Sequence, residues 1–139
     1  MHDIYTIGYQ GMTPERLVEI MDEKNINRLL DVRSKPYSRQ VQFNGRELAK
    51  RLGERYLWKG DILGGLSGPI PEEGIQFLLA QRDGETMLLM CMEKSPLACH
   101  RFYDISRRLY QEAGIDAIHL VDLGNDVAEQ KTSDYLGGP

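Results

Sequence analysis

The sequence predicts an α/β fold: a three-layer, Rossmann-like domain with a mostly parallel, five-stranded sheet flanked by helices. Three observations predict it. Apolar or β-rich runs of strand length begin at Ile4, Leu29, Tyr56, Met87 and Ile115, and helical periodicity fills the segments between them. The run over residues 87–92 is unbroken, as in a strand buried on both faces of a parallel sheet. The chain has 139 residues, 41% of them apolar, enough for one packed core and too few for two. Residues 1–121 are therefore read as a single α/β domain. Residues 122–139, where the periodicity lapses, are read as a flexible C-terminal extension.

Each element carries its own start and stop signals. The first strand, residues 4–7, ends at Gly8, and Gly8-Tyr9-Gln10-Gly11 reads as a turn. Thr13-Pro14-Glu15 opens a helix with a capping hydroxyl, a proline at the position where a missing N–H is harmless, and an acid near the positive end of the dipole. Leu17, Ile20 and Met21 form its apolar face and Asn25 ends it. The second strand, residues 29–32, runs into a donor-rich loop, Arg33-Ser34-Lys35-Pro36-Tyr37-Ser38-Arg39. Asn44 caps a helix over residues 45–53 with Leu48 and Leu52 inward, and residues 56–58 form a short third strand. In Leu63-Gly64-Gly65-Leu66-Ser67-Gly68-Pro69 the glycines either bend the chain sharply or admit another backbone, since they lack a Cβ. Pro71-Glu72-Glu73 opens a helix running to Gln81. After the fourth strand, Phe102, Ile105 and Leu109 line the inner face of a helix that stops near Gly114, and residues 115–121 form the fifth strand.

The chain is organised around the junction of the fourth strand and its helix. Ser95 can cap that helix and Pro96 suits its first position, which sets Cys99, His100 and Arg101 in or near the first turn. Backbone N–H groups and the dipole favour negative charge there, whether phosphate, carboxylate or thiolate. A thiol beside Arg101 and a protonated His100 drops from about 8.5 toward roughly 3.5–7.5 and becomes a nucleophile at neutral pH. The alternative for Cys99 is a small buried hydrophobe. Cys91, inside the apolar strand, is expected to pack rather than react.

The formal charge of −4 is unevenly spread. Residues 28–59 hold nine Lys or Arg against three acids, a local +6, so the remainder carries −10. This excludes a generally basic nucleic-acid coat and leaves one basic lobe, suited to an anionic ligand or simply a solvated face. The two cysteines carry no sign of a disulfide framework. No apolar stretch is long enough to cross a bilayer and no charged leader precedes the first strand, so a cytoplasmic protein without a membrane role is expected.

The right-handed crossover rule brings the loops after the strands to one sheet edge, where open α/β sheets bind ligands. Gly8, Tyr9, the loop from Arg33 to Arg39, Gly64, Gly65, the turn from Glu93 to Arg101, and His119 are expected there. At these residues the chain resembles the Domain of Unknown Function 488 family. The shared motifs are Thr6-Ile7-Gly8-Tyr9, Asp31-Val32-Arg33-Ser34, Leu63-Gly64-Gly65, Cys91-Met92-Glu93 and Cys99-His100-Arg101, and the resemblance runs over most of the chain, residues 4–120. It implies an α/β domain and, as the family's name says, no reaction.

The functional reading therefore comes from the residues. Cys99, His100 and Glu93 are the candidate catalytic groups, and Arg33, Ser34, Arg39 and Arg101 the candidate anion-binding groups. Gly8, Tyr9, Asp31, Gly64 and Gly65 are the candidate walls of the pocket. Arg33 and Arg39 offer the bidentate fork that phosphate accepts. Arg101 either binds an anion or ties helix to strand end in a buried pair with Glu93 or Asp31. Neither cysteine has an arginine five or six positions later, which excludes the phosphate-cradling loops of cysteine phosphatases and rhodaneses. No cofactor and no metal is expected: Cys91, Cys99, His100 and His119 are soft ligands, but consecutive side chains on a helix diverge by about 100°. Two functions fit. One is an enzyme-like pocket, hydrolase or transferase, for a phosphate-bearing ligand such as a nucleotide or a nucleic-acid end. The other is a non-catalytic module gripping nucleic acid or a protein partner by its basic edge, with Tyr9, Tyr37 and Trp58 as stacking surfaces. A third reading makes the polar residues an internal network that only holds the sheet edge together.

Overall fold

A computed structural model describes residues 2–66 and 68–137. Ser67 in the glycine-rich loop, and Gly138 and Pro139 in the expected tail, lie outside the described residues. Six strands form one sheet: β1 (Ile4–Gly8), β2 (Arg28–Asp31), β3 (Tyr56–Trp58), β4 (Met87–Cys91), β5 (Ile118–Asp122) and β6 (Val127–Lys131). Their order is β3-β2-β4-β1-β5-β6, with every pairing parallel except the antiparallel β5–β6 ladder. The helices are α1 (Pro14–Glu23), α2 (Gly45–Leu52), α3 (Gly60–Leu63), α4 (Glu72–Gln81), α5 (Arg107–Ala113) and α6 (Thr132–Tyr135).

The expected α/β architecture stands, with one correction: the sheet has six strands rather than five. The sixth arises within the stretch read as an extension. An edge strand pairs on one side only and buries little, so it needs no apolar alternation. β6 is largely exposed and carries none. Gly124, at φ 95°, turns the chain back toward β5, and Leu123 N–H donates to Asp126 O at 2.8 Å.

Alternation along the central strand builds the two flanking layers. Leu88 and Met90 face the core made with Leu17, Ile20 and Met21 of α1 and Leu48 and Leu52 of α2. Met87, Leu89 and Cys91 face the opposite core, with Ile75 and Leu78 of α4, Ile105, and Leu109 of α5. Every residue of β4 is buried, as its unbroken apolar run requires. At the start of α1 the Thr13 hydroxyl accepts from Arg16 N–H at 3.1 Å, with Pro14 at the first position. No helix is long and apolar enough to cross a membrane among the described residues.

Candidate functional site

Strand order decides what meets at the carboxyl edge. β4 lies between β2 and β1, with Cys91 paired to Gly8 and Met90 to Asp31. The chain leaving β2 and the chain leaving β1 therefore emerge on either side of Cys91. They bound a cavity of about 360 Å³, lined by Tyr9 from the chain after β1, Arg33, Ser34, Lys35 and Tyr37 from the chain after β2, Cys91, Glu93, Cys99 and His100 from the end of β4 and the turn beyond it, and Gly65 and Leu66. The basic loop and the cysteine turn thus share one mouth.

Glycines make this convergence possible. A Cβ on Gly8 would overlap the carbonyl oxygen of Glu93, and one on Gly64 would overlap the Ser34 hydroxyl. A Cβ on Gly65 would stand 2.9 Å from the His100 ring. None of the three has a positive φ, so the requirement is close approach and not a sharp turn.

The helix that follows starts differently from the expectation. Pro96 opens a single 3₁₀ turn, Pro96–Ala98, but the Ser95 side chain makes no capping bond. Cys99 takes the cap position instead. Its backbone is extended (φ −140°, ψ 148°), and its carbonyl accepts from Phe102 and Tyr103 N–H at 3.1 and 3.4 Å. Its Sγ accepts from Arg101 N–H at 3.5 Å. A thiol in this place meets the exposed N–H groups and the positive end of the helix directly. The first turns, Arg101–Ser106, are wide π-type turns, which the Ser106 hydroxyl supports by donating to Arg101 O at 2.6 Å.

His100 is held by its far side. Its Nε2 lies 3.1 Å from Val32 O and 2.9 Å from Leu63 O. Carbonyls only accept, so Nε2 carries a proton and Nδ1 faces the sulfurs, 3.6 Å from Cys99 Sγ and 4.0 Å from Cys91 Sγ. The two Sγ atoms are 2.6 Å apart. This contact with Cys91 is the main cause holding the Cys99 thiol below its ordinary value; burial opposes it, and His100 and Arg101 add to it. Cys91 moves the other way, raised by the same contact and by burial. Burial is the largest influence on His100 and works against its charge, but the bond to Cys99, the Cys99 charge and the Leu63 and Val32 carbonyls together outweigh it and raise it. These shifts favour a thiolate on Cys99, with protons held on His100 and Cys91. Glu93 Oε2 lies 3.4 Å from Cys91 Sγ, beside this pair and not between its members.

The arginines divide into three roles. Arg101 is fully buried and does not line the cavity. It donates to Glu93 O at 2.8 Å, Lys94 O at 3.3 Å and the Thr6 hydroxyl at 3.2 Å. These are backbone and hydroxyl acceptors, not the carboxylates of Glu93 or Asp31, and no ion pair involves Arg101 among the described residues. Arg33 takes the Asp31 pairing instead, at 2.9 and 2.7 Å, and also donates to Phe43 O at 2.8 Å and the Tyr9 hydroxyl at 3.4 Å. Among the described residues one Nη1 hydrogen is left over. Arg39 is exposed and lies away from the cavity. Asp31 is a wall support beneath Arg33, accepting also from the Tyr56 hydroxyl at 2.6 Å. Tyr9 is buried and stacked on Phe43, with centroids 4.5 Å apart. Ser34 Oγ accepts from Leu66 N–H at 3.1 Å and keeps its own proton to donate.

His119 does not open to the edge. Its Nδ1 meets the Thr6 hydroxyl at 2.6 Å and its Nε2 the Thr132 hydroxyl at 2.9 Å, so the ring lies inside the fold. Cys91, Cys99 and His100 do converge, with their ligand atoms within 4.8 Å of one another. The expected divergence of Cys99 and His100 fails because Cys99 precedes the helix and is extended. Tetrahedral coordination at about 2.3 Å per sulfur sets two thiolates roughly 3.7 Å apart. The 2.6 Å separation here is well short of that.

Sequence reasoning placed Cys91 in the core and passed over Lys35. Cys91 belongs to both, because it is the last residue of β4 and its sulfur reaches the edge. That terminal position was the available signal. Lys35 lies in the bend just after Arg33 and Ser34, and all three line the cavity, so its place in the donor-rich loop was the available signal.

No curated protein and no solved structure matches the chain. The cysteine turn lies beyond the segment that a family model covers, whereas the loop after β2 and the paired glycines lie within it. Residues 13–72 match the family model described as Domain of unknown function DUF488, the same family that the motifs resemble.

Proposed function

We propose that the chain is a thiol enzyme, a hydrolase or transferase, acting on a small phosphate-bearing ligand such as a nucleotide or a nucleic-acid end. One observation carries this reading: Cys99 Sγ stands 3.6 Å from an imidazole whose other nitrogen is anchored, facing a cavity of about 360 Å³ that Arg33, Ser34 and Lys35 also line. Nucleophile, proton partner and orienting groups thus occur in one line. The Cys99 thiolate attacks the electrophilic atom of the ligand while the bond to the leaving oxygen breaks. The imidazolium gives its Nδ1 proton to that oxygen. Neutral His100 then takes a proton from water, or from an acceptor hydroxyl, which displaces the sulfur. The remaining Nη1–H of Arg33, the Lys35 ammonium and the Ser34 hydroxyl hold the anion.

The non-catalytic reading has less support. Tyr9 is sealed against Phe43, and Trp58, though exposed, donates to Arg33 O at 2.8 Å and does not line the cavity, which leaves Tyr37 as the exposed ring there. The test is protection of Cys99 from iodoacetamide by inorganic phosphate and by adenosine monophosphate. Saturating ligand is expected to slow alkylation at least several-fold in the wild type and much less in Lys35→Ala. Equal rates with and without both ligands would remove the phosphate reading.

A further inference from the structure

The nucleophilic reading leaves one feature without a role: a second thiol touching the nucleophile. Cys91 and Cys99 are both free and line the same cavity, one ending β4 and the other capping the helix, with a single 3₁₀ turn between them. The two sulfurs touch and both open on the cavity, so a Cys99 oxidised there meets Cys91 directly. The elements that present the two sulfurs are already in position, so closing to a bond of about 2.05 Å needs only a small movement.

We infer that Cys99 and Cys91 form a dithiol site that reduces a hydroperoxide, with Cys99 as the attacking sulfur and Cys91 as the sulfur that resolves it. This rests on the reading of Cys99 as a thiolate at neutral pH. The Cys99 thiolate attacks the distal oxygen of the hydroperoxide, the O–O bond breaks, and the departing alkoxide or hydroxide takes the Nδ1 proton of His100. Cys99 is then a sulfenic acid and the peroxide has become an alcohol or water. Cys91 gives up its proton and attacks Cys99 Sγ. The S–O bond breaks, hydroxide leaves with that proton as water, and a Cys91–Cys99 disulfide remains. Two electrons have passed from two thiols to one peroxide. A low-molecular-weight dithiol returns the site to its reduced form by exchange.

Geometry supports each step. The His100 proton lies on the cavity side of Cys99, because Nε2 is spent on Val32 O and Leu63 O. Arg101 N–H holds Cys99 Sγ in the cap position. The raised Cys91 thiol is suited to the second step and not the first, since it keeps its proton until a sulfenic acid is at hand.

The experiment treats the full chain with equimolar hydrogen peroxide at neutral pH, blocks remaining thiols with iodoacetamide, and reads intact mass and peptides. The wild type is expected to lose two hydrogens, to resist alkylation at both cysteines, and to regain both thiols with dithiothreitol. Cys91→Ser is expected to stop at Cys99 sulfenic acid, trapped by dimedone. Two outcomes overturn the inference. One is rapid alkylation of Cys99 at neutral pH in untreated protein with no disulfide after peroxide, which leaves the nucleophile reading standing. The other is alkylation of Cys99 only at alkaline pH, which removes both. Should Cys91→Ser fail to fold, disulfide formation in the wild type alone decides.

Discussion

Arg101 is the largest fully buried side chain, and it carries its charge without a carboxylate. Two backbone carbonyls and a hydroxyl accept its protons, and the Cys99 sulfur is the nearby anion it favours. Arg101→Ala removes three hydrogen bonds, one of them fully buried, and leaves a large void, so it is expected to lower stability by about 3 kcal/mol or more in urea unfolding. A loss below about 1 kcal/mol would show that the network is not structural. Arg101 also opposes protonation of His119, second to burial, and holds that ring down at about 4. An unfolded histidine titrates near about 6.5, so between these values the unfolded chain binds the extra proton and stability falls as pH falls. This contribution is complete above about pH 6.5 and amounts to about 3 kcal/mol lost by pH 4. Thermal unfolding across that window checks it: His119→Gln is expected to flatten the acid limb, and an unchanged slope would refute the assignment.

At the scale of elements, the loops are closed by glycines that touch different things. A methyl on Gly8 meets fixed backbone at Glu93, so Gly8→Ala is expected to destabilise by several kcal/mol, read by thermal unfolding. A methyl on Gly65 meets the His100 ring, which can turn. Gly65→Ala is therefore expected to keep most of its stability while slowing Cys99 alkylation at neutral pH, because the imidazole is displaced from the sulfur. Wild-type alkylation in Gly65→Ala would mean that His100 has no part in activating Cys99. The elements that could be read from sequence were those whose own residues announce them: Thr13-Pro14 for α1 and the unbroken run for β4. β6 was not legible, since its pairing comes from β5 and from the Gly124 turn and not from its exposed side chains. The Ser95 expectation failed for a related reason. The Pro96 turn ends after one 3₁₀ turn and the chain extends again at Cys99, which hands the cap to the thiol.

For the whole molecule, the strand order does the essential work. Insertion of β4 between β2 and β1 brings Arg33 and Cys99, distant in sequence, to one cavity. The crossover rule made that convergence legible, but the partners of each charge were legible only in part. Asp31 and Arg33 stand two apart on an extended segment, the spacing that pairs them, whereas the burial of Arg101 depends on carbonyls of a loop that no pattern specifies. The site is consequently less cationic than its composition suggests, and its reactivity depends on the sulfur. The most direct measurement is the rate of Cys99 alkylation by iodoacetamide as a function of pH, resolved by peptide mapping. A midpoint well below the free-thiol value of about 8.5, with the rate already level at neutral pH, is the expected result. A midpoint at or above that value would contradict a thiolate at the helix cap and the chemistry built on it.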